Sequence, residues 1–168
     1  MISINRSVFL FLFSVGVLSC SAGGDVAAAT DGPFEGYTLF APLRSKTTYL
    51  VDMDGEVVHQ WEADLTPGNS VYLMDNGDLF RAAKVEDPPV FEGGGQGGRV
   101  QKLAPDGTVI WDFLYSTEEY LHHHDIEPLP NGNVLLIAWE GKTKEEALAA
   151  GRHPTLMEGE ELWPDMVV

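Results

Sequence analysis

Asp54-Gly55-Glu56-Val57-Val58-His59-Gln60-Trp61 recurs, class for class, as Asp106-Gly107-Thr108-Val109-Ile110-Trp111-Asp112-Phe113, 52 residues further on. A second pair of landmarks, Leu73-Met74-Asp75-Asn76-Gly77-Asp78-Leu79 and Leu129-Pro130-Asn131-Gly132-Asn133-Val134-Leu135, repeats with its Asn-Gly displaced by 55. A period of this size, made of strands and turns, predicts a stacked or radial repeat architecture. One such repeat cannot bury its own apolar faces, so function is expected where repeats meet. Met166-Val167-Val168 reads as a third repeat opening a strand.

Around these landmarks the chain is a succession of short apolar runs bounded by Gly, Pro, Asn and Asp. Strands are predicted at 37–40, 48–53, 56–61, 70–74, 79–83, 100–103, 108–113, 125–129 and 134–139. Asp54-Gly55, Asn76-Gly77, Asp106-Gly107 and Asn131-Gly132 are predicted hairpin turns, because a glycine accepts positive φ at little cost. Four strands joined as a meander make the blade of a β-propeller, so the expected fold is all-β, built of propeller blades over 36–168. Residues 70–74 and 125–129, directly before an Asn-Gly turn, take the innermost position, and 108–113 the outermost. On this phasing the chain opens with outer strands, runs through one complete blade and ends partway into the next. That predicts an incomplete N-terminal fragment of a longer ring, since partial blades would leave unpaired edges.

The composition is acidic, with 10 Lys+Arg against 26 Asp+Glu and a net charge of −16. Such a surface repels phosphate backbones, which excludes nucleic acid as a partner class. Arg6 followed by the apolar run Val8–Leu18 is too short to span a bilayer, at about 16 Å, and reads as an export signal. Its end, Val17-Leu18-Ser19-Cys20, resembles a bacterial lipobox. Residues 1–20 are therefore expected to be a lipoprotein-type signal peptide with Cys20 as the lipidated residue. Cleavage nearby, with Cys20 discarded, is the alternative. Cys20 is the only cysteine, so no disulfide within the chain is possible. Residues 21–35 read as a flexible tether. Contact with the membrane is expected through the lipid anchor only.

Two insertions interrupt the meander. Glu92-Gly93-Gly94-Gly95-Gln96-Gly97-Gly98 lacks the Lys-Ser or Lys-Thr of a phosphate-cradling loop and reads as a mobile surface loop. At the equivalent place in the next repeat, Thr143 and Glu146 form a capping box and Gly151 a stop, predicting a short helix.

The repeats diverge at one place. Where one has Asn69-Ser70, the other has His124-Asp125, within Leu121-His122-His123-His124-Asp125-Ile126-Glu127. Three of the five histidines fall in this run, expected at the entrance to an inner strand. A solvated loop with hydrogen-bonded histidines, a metal site and an anion-binding or catalytic site all fit it. For the metal, His122 and His124 would alternate to one side of an extended strand, with Asp125 orienting a ring; further ligands are lacking, and no metal is expected. For the anion site, imidazole would donate to a charged substrate oxygen. Trp61, Trp111, Trp139 and Trp163 are expected to pack between repeats. Arg81 and Arg99 show no spacing that ties them to an anion.

HHHDIEPLPNGNVLLIAWEGKTKEEALAAGR (122–152) followed by ELWPDMVV (161–168) resembles the aryl-sulfate sulfotransferase (arylsulfotransferase) family of bacterial propeller proteins, as do the two DG-containing outer-strand motifs. The resemblance runs over roughly residues 36–168. It implies a six-bladed, exported propeller in the bacterial cell envelope that moves a sulfuryl group from an aryl sulfate to a phenol without a nucleotide sulfate donor. A covalent histidine intermediate, with further histidines and an arginine around the sulfate, is implied; no cofactor is. Its partners would be small phenolic sulfates and phenols. On the matching motif His124 would contact sulfate, His123 is a second candidate for a catalytic and substrate-binding role, and Asp125 is a substrate-site residue that orients its neighbours. The extra His122 departs from the family's His-His pair. The nucleophilic histidine and the arginine lie in later blades of the family, so this chain alone is not expected to turn over. A non-catalytic propeller binding module at the cell surface is the alternative, and a metal- or quinone-dependent oxidoreductase a third.

Overall fold

In each Asx-Gly turn the glycine N–H donates to the carbonyl three residues earlier: Gly55 to Asp52, Gly77 to Met74, Gly107 to Ala104 and Gly132 to Leu129. The residue that accepts this bond donates its own N–H to the carbonyl just past the glycine. Only the glycine is left-handed, with φ between +83° and +87°. These are hairpin loops built on a type I turn with the glycine closing it, not turns in which both residues of the pair take positive φ.

The computed structural model describes residues 32–168, of which Glu35–Val168 form one unit. The predicted signal peptide (1–20), Cys20 and residues 21–31 of the predicted tether lie outside the described residues. The fold is all-β, in antiparallel sheets. β1 (Thr38–Phe40), β2 (Thr47–Val51) and β3 (Val57–Glu62) make a three-stranded sheet. β4 (Pro67–Leu73), β5 (Leu79–Lys84), β6 (Gly98–Leu103) and β7 (Val109–Leu114) follow as a four-stranded meander in chain order. The next sheet begins with β8 (Tyr120–Pro128) and β9 (Val134–Glu140). A small excursion then comprises β10 (Lys142–Thr143), the helix α1 (Lys144–Ala149) and β11 (Glu161–Leu162), after which β12 (Asp165–Val167) pairs with β9. Thr143 and Glu146 cap α1 reciprocally, as their spacing predicts. Among the described residues the sheets do not close on one another, and no helix is long and apolar enough to cross a membrane.

Two expectations are corrected here. Met166 and Val167 do not open a third repeat; they pair with Ala138 and Ile137 as the third strand of the β8–β9 sheet. β8 begins at Tyr120 rather than Asp125, so the histidine run lies inside the strand.

The apolar seams lie between sheets. Trp61 from β3 meets Leu79 and Leu103 of the four-stranded sheet, with Leu39, Leu50 and Val71 around them. Val100 meets Ile126, Leu136 and Ala138 of the following sheet, with Tyr72, Phe80 and Met166 at the margin. Neither sheet could remove these side chains from water alone. Arg81 is buried in the four-stranded sheet, donating to the Leu65 carbonyl at 2.8 Å and to Gln101 Oε1 at 3.1 Å. Burial pulls its guanidinium down to about 10, so it stays charged at neutral pH. Gln101 passes the interaction on to Asp112 Oδ2 (2.9 Å), whose other oxygen pairs with Arg99 at 2.7 Å. Both arginines thus hold strands together.

Candidate functional site

The sequence equivalence of Asn69-Ser70 with His124-Asp125 is a backbone equivalence. In β4, Pro67 pairs with Ala83 and the next pair is Val71 with Arg81; in β8, His122 pairs with Ala138 and the next is Ile126 with Leu136. Each strand therefore sets three residues against one on its partner, a bulge larger than the usual two against one, at the same place in both repeats. Asn69 (φ +89°) and His124 (φ +55°) are the non-glycine residues with left-handed backbone among those described. Such a conformation costs on the order of 1 kcal/mol or more, and it persists only where surrounding structure enforces it. It also breaks the alternation that would have put His122 and His124 on one side of a strand.

What enforces it is the glycine-rich segment. The His124 N–H donates to the Gly95 carbonyl (2.7 Å), Gly97 N–H donates to the His122 carbonyl (3.1 Å), and Gln96 bridges to His123 in antiparallel fashion. Gln96, Gly97 and Gly98 are buried. The expectation of a surface loop is therefore corrected for residues 95–98, which are bonded onto the histidine strand, while Glu92, Gly93 and Gly94 are exposed. The lack of side chains at Gly95 and Gly97 is what permits this bonding. A Cβ on Gly95 would lie 2.1 Å from His124 Cε1, and one on Gly97 would lie 2.4 Å from His122 Nδ1. Gly95→Ala is expected to cost about 1–2 kcal/mol, since its φ of +80° is itself costly for alanine, and to displace the His124 ring. Urea unfolding together with the His124 ring resonances would measure both; an unshifted ring would mean the clamp does not place it.

The three histidines do different things. His122 is fully buried. Its Nδ1 accepts from Gly98 N–H at 3.2 Å, which fixes the proton on Nε2, where it faces the Asp125 carbonyl at 3.3 Å. Burial drives its pKa down to about 4, so the ring is neutral at pH 7 and bolts the bulge to the glycine segment. His123 is 4% exposed and stacks on Trp139 with centroids 4.3 Å apart. Its Nδ1 lies 2.8 Å from His124 Nδ1, and its Nε2 lies 3.1 Å from Asp165 Oδ1. That carboxylate stands off the line of an N–H on Nε2, so it acts on the ring as a nearby charge and not as an aligned acceptor. Burial lowers the pKa of His123, with Asp165 opposing. His123 does not line the open cleft beside it.

His124 does line it. The cleft, of about 620 Å³, is walled by Leu39, Phe40 and Ala41 on one side and by Asn69, Ser70, Val71, Tyr72, His124 and Asp125 on the other. That volume suits a small aromatic ligand. Asn69 and His124 bring it hydrogen-bonding groups from the two bulges, and Ser70 Oγ is shielded from solvent without a partner. Asp125 Oδ1 accepts from Tyr72 O–H and from Ile126 N–H, both at 2.9 Å. The tyrosine is pushed up to about 12, by burial first and then by this bond and the carboxylate charge. Through these two bonds Asp125 holds Tyr72 and the bulge in place. No lysine or arginine lines this cleft. Among the described residues no group of three or more His, Cys, Asp and Glu is arranged to hold a metal ion.

A larger cleft of about 870 Å³, walled by Phe80, Trp111, Phe113 and Leu136, carries Lys102 and none of the histidines. Lys102 is already paired with Asp78 at 2.7 Å, so the chemistry points to the smaller cleft. Trp111, expected to pack between repeats, is 40% exposed here. Asn69, Trp139, Asp165 and the glycine segment escaped the sequence reading as site residues. The shared offset of Asn69 and His124 from their Asn-Gly turns was the available signal for the first. No protein-family model and no curated protein matches this chain.

Proposed function

We propose that this chain belongs to an exported β-propeller of the arylsulfotransferase type, anchored through Cys20 and acting on phenolic sulfates at the cleft of His124. The observation that carries the reading is the strained, glycine-clamped bulge that sets the His124 imidazole beside an aromatic-walled cleft. Sulfuryl transfer passes through a loose transition state with charge on the equatorial oxygens, as phosphoryl transfer does, and fixed donors stabilise it. In the reaction the ester S–O bond breaks and the phenolate leaves as the sulfuryl group bonds to an imidazole nitrogen; that N–S bond then breaks as the group passes to an acceptor phenol, whose proton goes to solvent, and the imidazole is regenerated. His124 supplies an N–H to a sulfate oxygen, and the Asn69 side chain stands at the same cleft, where it can add a donor. Phe40, Leu39 and Tyr72 face the aromatic ring.

The test is p-nitrophenyl sulfate with and without an added phenol, using the full-length gene product. Release of p-nitrophenolate that depends on the phenol, with sulfate recovered on it, supports transfer. Absence of both turnover and binding overturns the reading. A non-catalytic binding module is the second reading, favoured by a cleft with one open imidazole and no arginine; it predicts binding of the ester without turnover.

A further inference from the structure

The cleft presents an electrostatic puzzle. A sulfate ester is an anion, yet the lining residues include one carboxylate, Asp125, and no lysine or arginine. The only lining group that can gain positive charge near neutral pH is the His124 imidazole.

Its protonation is set by its neighbours. His123 Nε2 is shielded from water, and Asp165 Oδ1 lies 3.1 Å from it. Although off the N–H line, the negative charge of Asp165 favours a hydrogen on Nε2 over a lone pair, so the ring carries its proton on Nε2. The Nδ1 of a neutral His123 is then a lone pair. At 2.8 Å from His124 Nδ1 it must accept, since two lone pairs at that distance would repel; the proton between the rings belongs to His124. His124 in its neutral form therefore has no hydrogen on Nε2. Burial of His123, stacked on Trp139, keeps that ring neutral and the sequence of bonds intact.

We propose that Asp165 and His123 position His124 so that its outer nitrogen, Nε2, is unprotonated in the free protein and an anionic sulfate ester binds there together with one proton from solvent. The second half of this statement rests on the sulfate-ester reading above; the first half does not. When the proton arrives, His124 becomes an imidazolium with one N–H on the ligand and the other on His123 Nδ1, a charge-assisted pair. The titratable groups around it are His122, His123 and Asp125 on β8, Tyr72 on β4 and Asp165 on β12; residues 93–98 and 39–41 contribute none. In this scheme His123 and Asp165 are positioning residues, acting through His124.

Ring-nitrogen NMR of the histidine-labelled chain, without ligand, tests the relay directly. His124 is expected as the Nδ1–H form at a pH where it is neutral; an Nε2–H form overturns the relay. His123→Phe keeps an aromatic ring against Trp139 but removes the acceptor, and should free His124 to carry its proton on Nε2. If that variant does not fold, Asp165→Ala, at a side chain that is 72% exposed, should mix the His123 tautomers and bring part of His124 to the Nε2–H form. Calorimetry with p-nitrophenyl sulfate in buffers of different ionisation heat then counts protons. Uptake of about one proton per ligand, with affinity falling about tenfold per pH unit where His124 is neutral, is expected for the wild type, and clearly less uptake for His123→Phe. Binding without proton uptake in the wild type overturns the coupling. An Nδ1–H His124 in a protein that does not bind the ester leaves the relay standing and overturns the sulfate-ester reading, and the coupling with it.

Discussion

His124→Ala should lower sulfuryl transfer from p-nitrophenyl sulfate to phenol about 100-fold, the usual consequence of deleting one preorganised donor to developing negative charge. The side chain is exposed and its known contacts are to His123 and across Gly95, so the fold should survive and the loss should fall on transfer. His124→Asn is the informative companion. Asparagine tolerates the left-handed φ, as Asn69 does at the equivalent bulge (+89°), and it offers an N–H without needing a proton. It should recover part of the loss and flatten the pH dependence. Transfer rates unchanged in His124→Ala would remove this residue from the mechanism and, with it, the role assigned to the cleft.

The second large effect is on stability in acid. His122 is neutral and buried in the folded protein, with its pKa lowered from the ordinary 6.5 to about 4. The unfolded chain therefore takes up this proton first, so the contribution of His122 is complete above pH 6.5 and is lost as pH falls towards 4. Applying linkage to that window gives a loss of about 2 kcal/mol by pH 5 and about 3 kcal/mol by pH 4 from this one ring. His123 is shifted in the same direction by its own burial and adds to the trend. Urea unfolding across this range should show the decline, and His122→Gln, which can accept from Gly98 and donate to Asp125, should make the slope shallower. An equal slope in the variant would show that the buried imidazole is not what acid attacks.

Much of the strand layout was legible because each element rests on local chemistry. Short β-branched and aromatic runs between Asx-Gly pairs become strands between hairpin loops, and this needs nothing distant to decide it. The Thr143–Glu146 capping box was likewise readable from its spacing. The turn geometry was only half legible: positive φ was expected from Asx-Gly, but which residues adopt it depends on how the ladder resumes beyond the turn. β8 was placed too late because His122–His124, which carry no strand signal of their own, separate Tyr120 and Leu121 from the apolar run that follows; pairing with β9 and with the glycine segment supplies the order.

The sequence alone established the repeat, the all-β class, the acidic surface and the single position, His124-Asp125 against Asn69-Ser70, at which the two repeats part ways. These are matters of period, charge and composition, which a linear string contains in full. Which imidazole meets the cleft, which is a buried bolt and which sits between a carboxylate and its neighbour came only from the tertiary structure. Those roles are set by Gly95, Gly97, Gly98, Trp139 and Asp165, residues brought against the histidines by strand pairing across the chain. A run of three identical side chains is chemically uniform until packing gives each a different neighbour.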